Sequence, residues 1–341
     1  MKGSYHFVVK SKKMLFDFKI RRNITIIKGD SATGKTTLLH MLYEYLRTGR
    51  ESGYSVSADV EYFVYLRKEV GRDWQETLSP LKSTVIFIEE NNDFVFSKEF
   101  AELVKTSGNY FVLVNRAPLK MLPYSIHEIY EIVTEGKSAN VKESYHYLQE
   151  LYSNFPVKGN NQIDYVITED SNSGLQFFFS IFPYSYVYSA GGNSNLLLQI
   201  QERKSGDILA IADGAAFGAM IEKCLAYCAI QANQRISLWM PESFEYLILQ
   251  SGIITAKGLD DILAAPWDYI DAAEYESWEK YFTQLLITLT SEKPYRYAKN
   301  SLNPYYVQAQ NLEKMLSVFP EPLRECQEAM HLSLFFSKSN G

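Results

Sequence analysis

The sequence predicts an α/β protein with two consecutive α/β domains and a mainly helical C-terminal part, and three observations support this. A short β-branched strand at residues 24–28 leads into a glycine-rich loop and then into a helix pattern. Buried strands and helices then alternate as far as residue 133, which is typical of a parallel sheet. A second alternating series begins at residue 163. A chain of 341 residues is long enough for both domains.

Composition and charge exclude several classes of protein. The chain is 46% hydrophobic and 22% charged, as in ordinary globular proteins, and its net charge of −6 argues against a generally basic, nucleic-acid-coating surface. A local basic groove remains compatible with this net charge. The sequence has no apolar run long enough for a membrane span and no signal-peptide core. The three cysteines lack zinc-site spacing, so we expect reduced thiols and a cytoplasmic location. Because the sequence predicts no membrane span, we also expect no membrane partner.

The first candidate site is the glycine-rich loop, which reads Gly29-Asp30-Ser31-Ala32-Thr33-Gly34-Lys35-Thr36-Thr37. Between a strand and a helix, this G-x-x-x-x-G-K-T pattern is that of a phosphate-binding P-loop. Glycines let successive backbone N–H groups turn toward one anion, and the helix N-terminus adds a positive dipole end. Lys35 would reach the β- and γ-phosphates, and the Thr36 hydroxyl would bind Mg²⁺. We therefore expect the whole loop to bind a nucleoside triphosphate, taken here as ATP, with GTP left open.

The other elements follow from apolar periodicity. Alternation before the loop indicates a hairpin, and buried runs after it indicate strands at residues 60–66, 84–88, 110–114 and 126–133. In the second half we expect strands at residues 163–168, 186–188, 208–212 and 235–240, with helices between them. The helical spacing of Tyr145, Leu148, Leu151 and Tyr152 predicts a helical linker between the two domains.

Acidic and polar side chains end two neighbouring predicted strands of the first domain. Glu89 and Glu90 end one of them, where P-loop hydrolases hold the metal-bound water and orient the attacking water. We expect Glu89 to support the metal, although Asp is the usual residue there, and Glu90 to act in catalysis together with Lys35. Asn115 and Arg116 end the next strand and are candidates for contacting the γ-phosphate. An ordinary surface cation is the alternative for Arg116.

Together these features resemble the P-loop NTPases that insert a strand between the P-loop strand and the strand with the catalytic carboxylates. The resemblance covers about the first 135 residues and implies a P-loop NTPase domain with a parallel sheet. A small-molecule kinase is a further alternative, but no arginine-rich lid is present in the sequence.

The second half carries acidic residues after predicted strands and a Gly-Gly pair before a helix, in the order Glu169-Asp170, Gly191-Gly192, Asp213, Glu242 and Glu245. This order resembles the TOPRIM domain of nucleases attached to P-loop ATPases of the overcoming-lysogenisation-defect type. The resemblance implies a TOPRIM-like α/β domain that binds Mg²⁺ for phosphodiester chemistry. Its implied ligands are Glu169, Asp213 and Glu245, with Glu242 as the alternative to the last.

The sequence departs from that family at two positions. Its E-G-x-x-D motif ends here in Ser173, and its D-x-D motif ends in Ala215. Two-metal cleavage is therefore expected to be impaired, while the binding of one metal stays open. An ordinary α/β domain whose acidic residues cap helices is the alternative.

These observations combine into one prediction of domains and function. We expect a P-loop NTPase domain at residues 1–137, a helical linker at 138–160, a TOPRIM-like domain at 161–255 and a mainly helical extension at 256–341. The predicted function is ATP binding and hydrolysis coupled to a degenerate domain that acts on, or is regulated by, DNA or RNA. The resemblance implies phage defence or a mobile element. The alternative is a non-catalytic, nucleotide-gated switch that binds a partner protein or a second copy of the chain.

Overall fold

The computed structural model describes residues 1–29, 33–67, 73–135, 143–152 and 163–324. The chain forms two compact units: the first comprises residues 1–153 and 264–277, and the second comprises residues 154–263 and 278–341. Each unit has its own sheet.

The first unit combines nine strands with three helices in its described part. Buried β-branched and aromatic residues form most of these strands. Their bounds, in chain order, are β1 Tyr5–Lys10, β2 Met14–Ile20, β3 Ile24–Lys28, α1 Lys35–Thr48, β4 Ser55–Ala58, β5 Glu61–Tyr65, α2 Trp74–Leu78, β6 Thr84–Ile88, α3 Lys98–Ser107, β7 Tyr110–Val114, β8 Ile129–Glu135 and β9 Ser144–Glu150.

One mixed sheet contains all nine strands, in the order β4-β1-β2-β9-β8-β3-β7-β6-β5. The strands β8, β3, β7, β6 and β5 form the parallel block that the sequence predicted. However, β1 is antiparallel to β2 and β4, and β9 is antiparallel to β8. The predicted fold class, a P-loop domain with a parallel sheet followed by a TOPRIM-like domain, is therefore wrong. The chain is an α/β protein whose main mixed sheet is nearly closed into a barrel, and it has in addition a small four-stranded parallel sheet.

The large sheet curls around helix α1. The ring of Phe7 on β1 lies 5.3 Å from the ring of Phe87 on β6, although five strands separate β1 from β6 in the sheet order. The buried face of α1, which includes Leu38 and Leu42, belongs to the same apolar core as these rings. The two edge strands β4 and β5 are consecutive in the chain, with only residues 59–60 between them. The near-closure therefore brings together two strands that are neighbours in sequence.

Strand β9 lies in the segment that the sequence predicted to be a helical linker. Residues 144–150 pair antiparallel with β8 and parallel with β2, so this part of the linker is a strand. In the sheet, His146 is buried and Leu148 packs on the apolar core, while Tyr145 is exposed. This is a period of two, and the helical spacing predicted from Tyr145, Leu148 and Leu151 was wrong. The remaining described residues of the predicted linker are too few to test it further.

The second unit alternates strands with helices and then becomes helical. Its sheet has the order β11-β10-β12-β13, and all neighbouring pairs are parallel. This series agrees with the strands predicted for the second half of the sequence. The bounds are β10 Tyr165–Thr168, α4 Ser173–Ile181, β11 Tyr186–Ser189, α5 Asn193–Glu202, β12 Ile208–Ile211, α6 Ile221–Ile230, β13 Ile236–Trp239, α7 Phe244–Gln250, α8 Leu259–Ala264, α9 Trp278–Thr290 and α10 Ala309–Ser317.

Aromatic side chains cover one face of this small sheet. The ring of Trp239 on β13 lies 4.4 Å from Phe319 and 6.0 Å from Phe178 on α4. Parallel strands place their carboxyl ends at one edge, so the residues after β10, β12 and β13 come together there. Across the described parts of both units, no helix has the length and apolar character required to cross a bilayer.

Candidate functional site

The glycine-rich loop leaves β3 and enters α1 through two glycines with positive φ. Gly29 has φ +119° and Gly34 has φ +98°, values that side chains other than glycine rarely adopt. Lys35 is buried, and its Nζ donates hydrogen bonds to the carbonyl oxygen of Gly29 at 2.6 Å and to Thr33 Oγ1 at 3.0 Å. The ammonium group therefore points back into the loop. Asp30, Ser31 and Ala32, also predicted to bind phosphate, lie outside the described residues.

Helix α1 begins with an N-terminus that suits an anion. Gly34 is its N-cap residue, no side chain accepts a hydrogen bond there, and the first turn contains no acidic residue. The first N–H groups of a helix lack partners within the helix, and the helix dipole is positive at this end. Thr36 is exposed and Thr37 is half-buried in the first turn. This arrangement can hold phosphate oxygens and present the Thr36 hydroxyl to a bound metal ion.

A stacked pair of aromatic side chains packs against the loop. Phe16 on β2 stacks on His146 on β9 with ring centroids 4.4 Å apart. Both nitrogens of His146 have hydroxyl partners, Thr134 Oγ1 at 2.9 Å and Ser144 Oγ at 2.9 Å. A Cβ atom at Gly34 would lie 3.5 Å from the Phe16 ring. This stacked pair therefore supports the loop directly at its second glycine. It could not be expected from the sequence, because the segment of β9 was predicted to be helical.

The strand order brings the predicted carboxylates and the predicted γ-phosphate residues to the same edge as the loop. β7 lies between β3 and β6, and the N–H group of Asn115 donates to the Ile27 carbonyl at 3.3 Å. Arg116 Nε lies 3.1 Å from Glu90 Oε1, so these two predicted residues form an ion pair. Glu89 Oε2 accepts a hydrogen bond from the backbone N–H of Arg67 at 2.9 Å. One oxygen of the predicted metal carboxylate is therefore already engaged.

Asn115 has a local role in the same loop. Its side chain is buried, and its Oδ1 accepts a hydrogen bond from the backbone N–H of Ala117 at 3.0 Å. This contact shapes the turn after β7. The amide nitrogen of the side chain remains the group that would face a phosphate.

In the second unit, two predicted carboxylates lie side by side after β10 and β12. The register pairs Thr168 with Ile211, so Glu169 follows the end of β10 by one residue and Asp213 follows the end of β12 by two residues, at the same edge of the sheet. Glu169 Oε2 accepts a hydrogen bond from the Asp213 N–H at 3.1 Å, and Asp213 Oδ1 accepts one from the Phe244 N–H at 3.2 Å. These residues line a cleft of about 310 Å³ together with Glu245 on α7. The structure therefore brings all three predicted carboxylates of this unit to one cleft.

Two further charged residues line this cleft, and sequence reasoning did not assign them to it. Lys299 Nζ donates to Glu279 Oε1 at 2.7 Å, and both residues border the cleft. Tyr297 donates a hydrogen bond from its hydroxyl to Glu245 Oε1 at 2.7 Å, and the same hydroxyl lies 2.7 Å from Ser173 Oγ. In the sequence, Lys299 follows Lys293 and Arg296 in a short basic segment, which favours a solvated face over a phosphate-binding strip. No local motif marks Glu279, because it reaches the cleft from α9, far along the chain.

Burial dominates the electrostatics of the cleft. It raises the pKa of the Glu169 carboxyl to about 7, although the hydrogen bond from Asp213 acts in the opposite direction. Burial, followed by the charges of Glu279 and Glu245, raises the pKa of Asp213 well above its usual value. Burial also raises the pKa of Glu245 against the opposing effect of Lys299. Burial lowers the pKa of Lys299, but its acidic neighbours outweigh this and raise it above the usual value.

The carboxylates of this cleft do not fit the predicted magnesium site as they stand. In the described part of the chain, no three His, Cys, Asp or Glu side chains converge as ligands for a metal ion. Mg²⁺ requires near-octahedral oxygen ligands at about 2.0–2.1 Å. Here Glu169 and Asp213 each use an oxygen on a backbone N–H group, and Glu245 uses one on the Tyr297 hydroxyl. Asp170 uses both oxygens to cap α4, on the N–H groups of Asn172 and Gly174.

Comparison with known proteins adds no assignment. No protein-family model matches the sequence, and no curated protein matches it either. The resemblances drawn from the motifs therefore stay predictions.

Proposed function

We propose that the first unit binds and hydrolyses a nucleoside triphosphate at the loop between β3 and α1. The observation that carries this proposal is the loop itself: two positive-φ glycines, a buried lysine turned into the loop and an uncapped helix N-terminus. A site with these three features has backbone N–H groups, a dipole end and a cation directed at one anion. Its position beside the Glu90–Arg116 pair supports hydrolysis rather than binding alone.

The roles of the residues follow from their contacts. When nucleotide binds, Lys35 exchanges the Gly29 carbonyl and Thr33 hydroxyl for β- and γ-phosphate oxygens. Thr36 and Glu89 would hold the Mg²⁺ that accompanies the nucleotide, and this ion neutralises the charge that develops on the phosphates. Glu90 orients the attacking water, and its ion pair with Arg116 fixes the carboxylate at the strand end.

The test is nucleotide binding and turnover by the full chain and three variants. Lys35→Ala removes a charge-assisted contact, so we expect nucleotide affinity to fall roughly ten- to hundredfold and turnover to be lost. Glu90→Gln should retain binding and lose turnover, because it removes the water-orienting carboxylate. Lys82→Ala is the matched control, since Lys82 is exposed and precedes β6 at the opposite edge of the parallel strands. Equal nucleotide affinity in wild type and Lys35→Ala would refute the proposal.

We propose nucleic acid as the ligand that regulates this turnover, as the motif resemblance implies, in a cytoplasmic protein. The alternative is a nucleotide-gated binding module whose second unit has no nuclease activity, and the lack of a metal-ligand group among the described carboxylates favours it. Turnover measured with and without DNA or RNA separates the two. Stimulation that depends on Lys35 supports nucleic acid as the ligand, whereas tight binding with negligible, unstimulated turnover supports the module.

A further inference from the structure

The acidic cleft of the second unit contains its own cation. Among the described residues that line it, Lys299 is the one basic side chain, and it faces Glu169, Asp213, Glu245 and Glu279. Its Nζ lies 2.7 Å from Glu279 Oε1, a short contact for an ammonium–carboxylate pair. Burial raises the pKa of Glu169 and of Glu245, and the charge of Lys299 opposes this rise in both.

The chain fixes Lys299 in this position through its backbone. The Lys299 carbonyl accepts a hydrogen bond from the N–H of Ser173 at 2.9 Å, at the start of α4. Two residues earlier, the N–H of Tyr297 donates to Thr290 Oγ1 at 2.9 Å, at the end of α9. The Tyr297 hydroxyl then binds Glu245 inside the unit. The backbone around Lys299 is therefore anchored to α4, α7 and α9, while its side chain remains 40% exposed where it pairs with Glu279.

Ionised carboxylates that are buried close together repel each other, and either proton uptake or a positive charge among them relieves this repulsion. A divalent metal is one solution, but among the described residues no three acidic side chains converge as ligands for one. The ammonium group supplies positive charge without an octahedral set of oxygen ligands.

We propose that Lys299 is the fixed cation of this cleft and takes the place that a divalent metal would otherwise occupy. The second unit therefore keeps its acidic centre together without Mg²⁺ or Mn²⁺. This proposal is independent of the nucleotide site in the first unit, since it concerns residues of the second unit alone.

The test compares nucleotide-free wild type with Lys299→Met and with Lys293→Met, the latter changing an exposed lysine of the same segment. Mn²⁺ binding is measured by titration calorimetry, and thermal unfolding is followed with and without Mn²⁺. Wild type and Lys293→Met should show no saturable Mn²⁺ site and no Mn²⁺-dependent shift of the unfolding midpoint. Lys299→Met should unfold at a lower temperature without metal and should gain a saturable Mn²⁺ site that wild type lacks, because a competing positive charge is gone.

Four outcomes decide whether the proposal holds. Mn²⁺ binding gained in Lys299→Met and lost again in the double variant with Glu245→Gln supports the proposal. Saturable Mn²⁺ binding to wild type that disappears in Glu169→Gln overturns it, because the carboxylates would then form a metal site despite Lys299. If Lys299→Met does not fold, Lys299→Arg should fold and bind no Mn²⁺, and the wild-type titration still decides. A folded Lys299→Met with unchanged stability and unchanged Mn²⁺ binding also overturns the proposal.

Discussion

Replacing Glu169 by glutamine should change how the stability of the second unit depends on pH. Burial raises the pKa of this carboxyl from 4.5 to about 7 in the folded chain. As the pH rises from 4.5 to about 7, the unfolded chain loses this proton while the folded chain still holds it. The folded state then binds more protons, so the free energy of unfolding falls through this window and stays reduced at higher pH.

The expected magnitude follows from the two pKa values. Their difference corresponds to about 3 kcal/mol, and residual solvent access to the carboxyl makes this an upper value. Glutamine cannot ionise, yet its amide oxygen can still accept the hydrogen bond from the Asp213 N–H. Glu169→Gln should therefore match wild type near pH 4.5 and be more stable by about 2–3 kcal/mol near pH 8.

The assay is equilibrium urea unfolding of both proteins at several pH values between about 4.5 and 8.5, the range in which this carboxyl titrates. Glu292→Gln is the control, because Glu292 is an exposed glutamate of the same unit and its replacement should leave the pH profile unchanged. A difference between Glu169→Gln and wild type that stays constant across this range would refute the reasoning. Lower stability of Glu169→Gln near pH 8 would also refute it.

Two further predictions concern the first unit. Glu128→Ala should lower its free energy of unfolding by about 3–5 kcal/mol in urea, because it leaves the buried Arg22 guanidinium without the carboxylate 3.2 Å away. Recovery of stability in the double variant Arg22→Met with Glu128→Leu checks this cause, and a small effect of Glu128→Ala contradicts it. Gly34→Ala should cost roughly 1–2 kcal/mol for a left-handed alanine and should also weaken nucleotide binding. Gly53→Ala has a similar positive φ with open space around it, so it should lose stability but not nucleotide affinity in the same titration.

Much of the first unit could be predicted from sequence because its strands are short buried runs. The β1–β2 hairpin and the parallel strands follow from alternation and from β-branched stretches such as those of β3 and β6. The error came mainly from β9, although the edge strand β4 was not predicted either. Tyr145 and Leu148 are spaced as on a helix, yet pairing with β2 and β8 overrides that local pattern. Because β9 joins the hairpin to the parallel block, misreading this strand changed the predicted sheet from mixed to parallel.

The candidate site residues that follow strand ends could be predicted from the sequence. Parallel strands force their carboxyl ends together, so Glu90 was expected near Arg116 and Glu169 near Asp213. No such rule applies to Lys299, which reaches its cleft through hydrogen bonds between a loop and two distant helices. Contacts of this kind depend on tertiary packing, so no residue spacing in the sequence indicates that Lys299 reaches the cleft.

The near-closure of the large sheet has a consequence for association with other chains. An open sheet exposes unpaired N–H and C=O groups along both edges, and these groups can template pairing with another molecule. Here the edges are β4 and β5, which face the same gap and are joined by residues 59–60. A two-residue link leaves little room for a foreign strand to enter. We expect that a longer link would widen the gap and expose both edge strands to pairing with other chains. The short link therefore disfavours aggregation through the edges of the sheet.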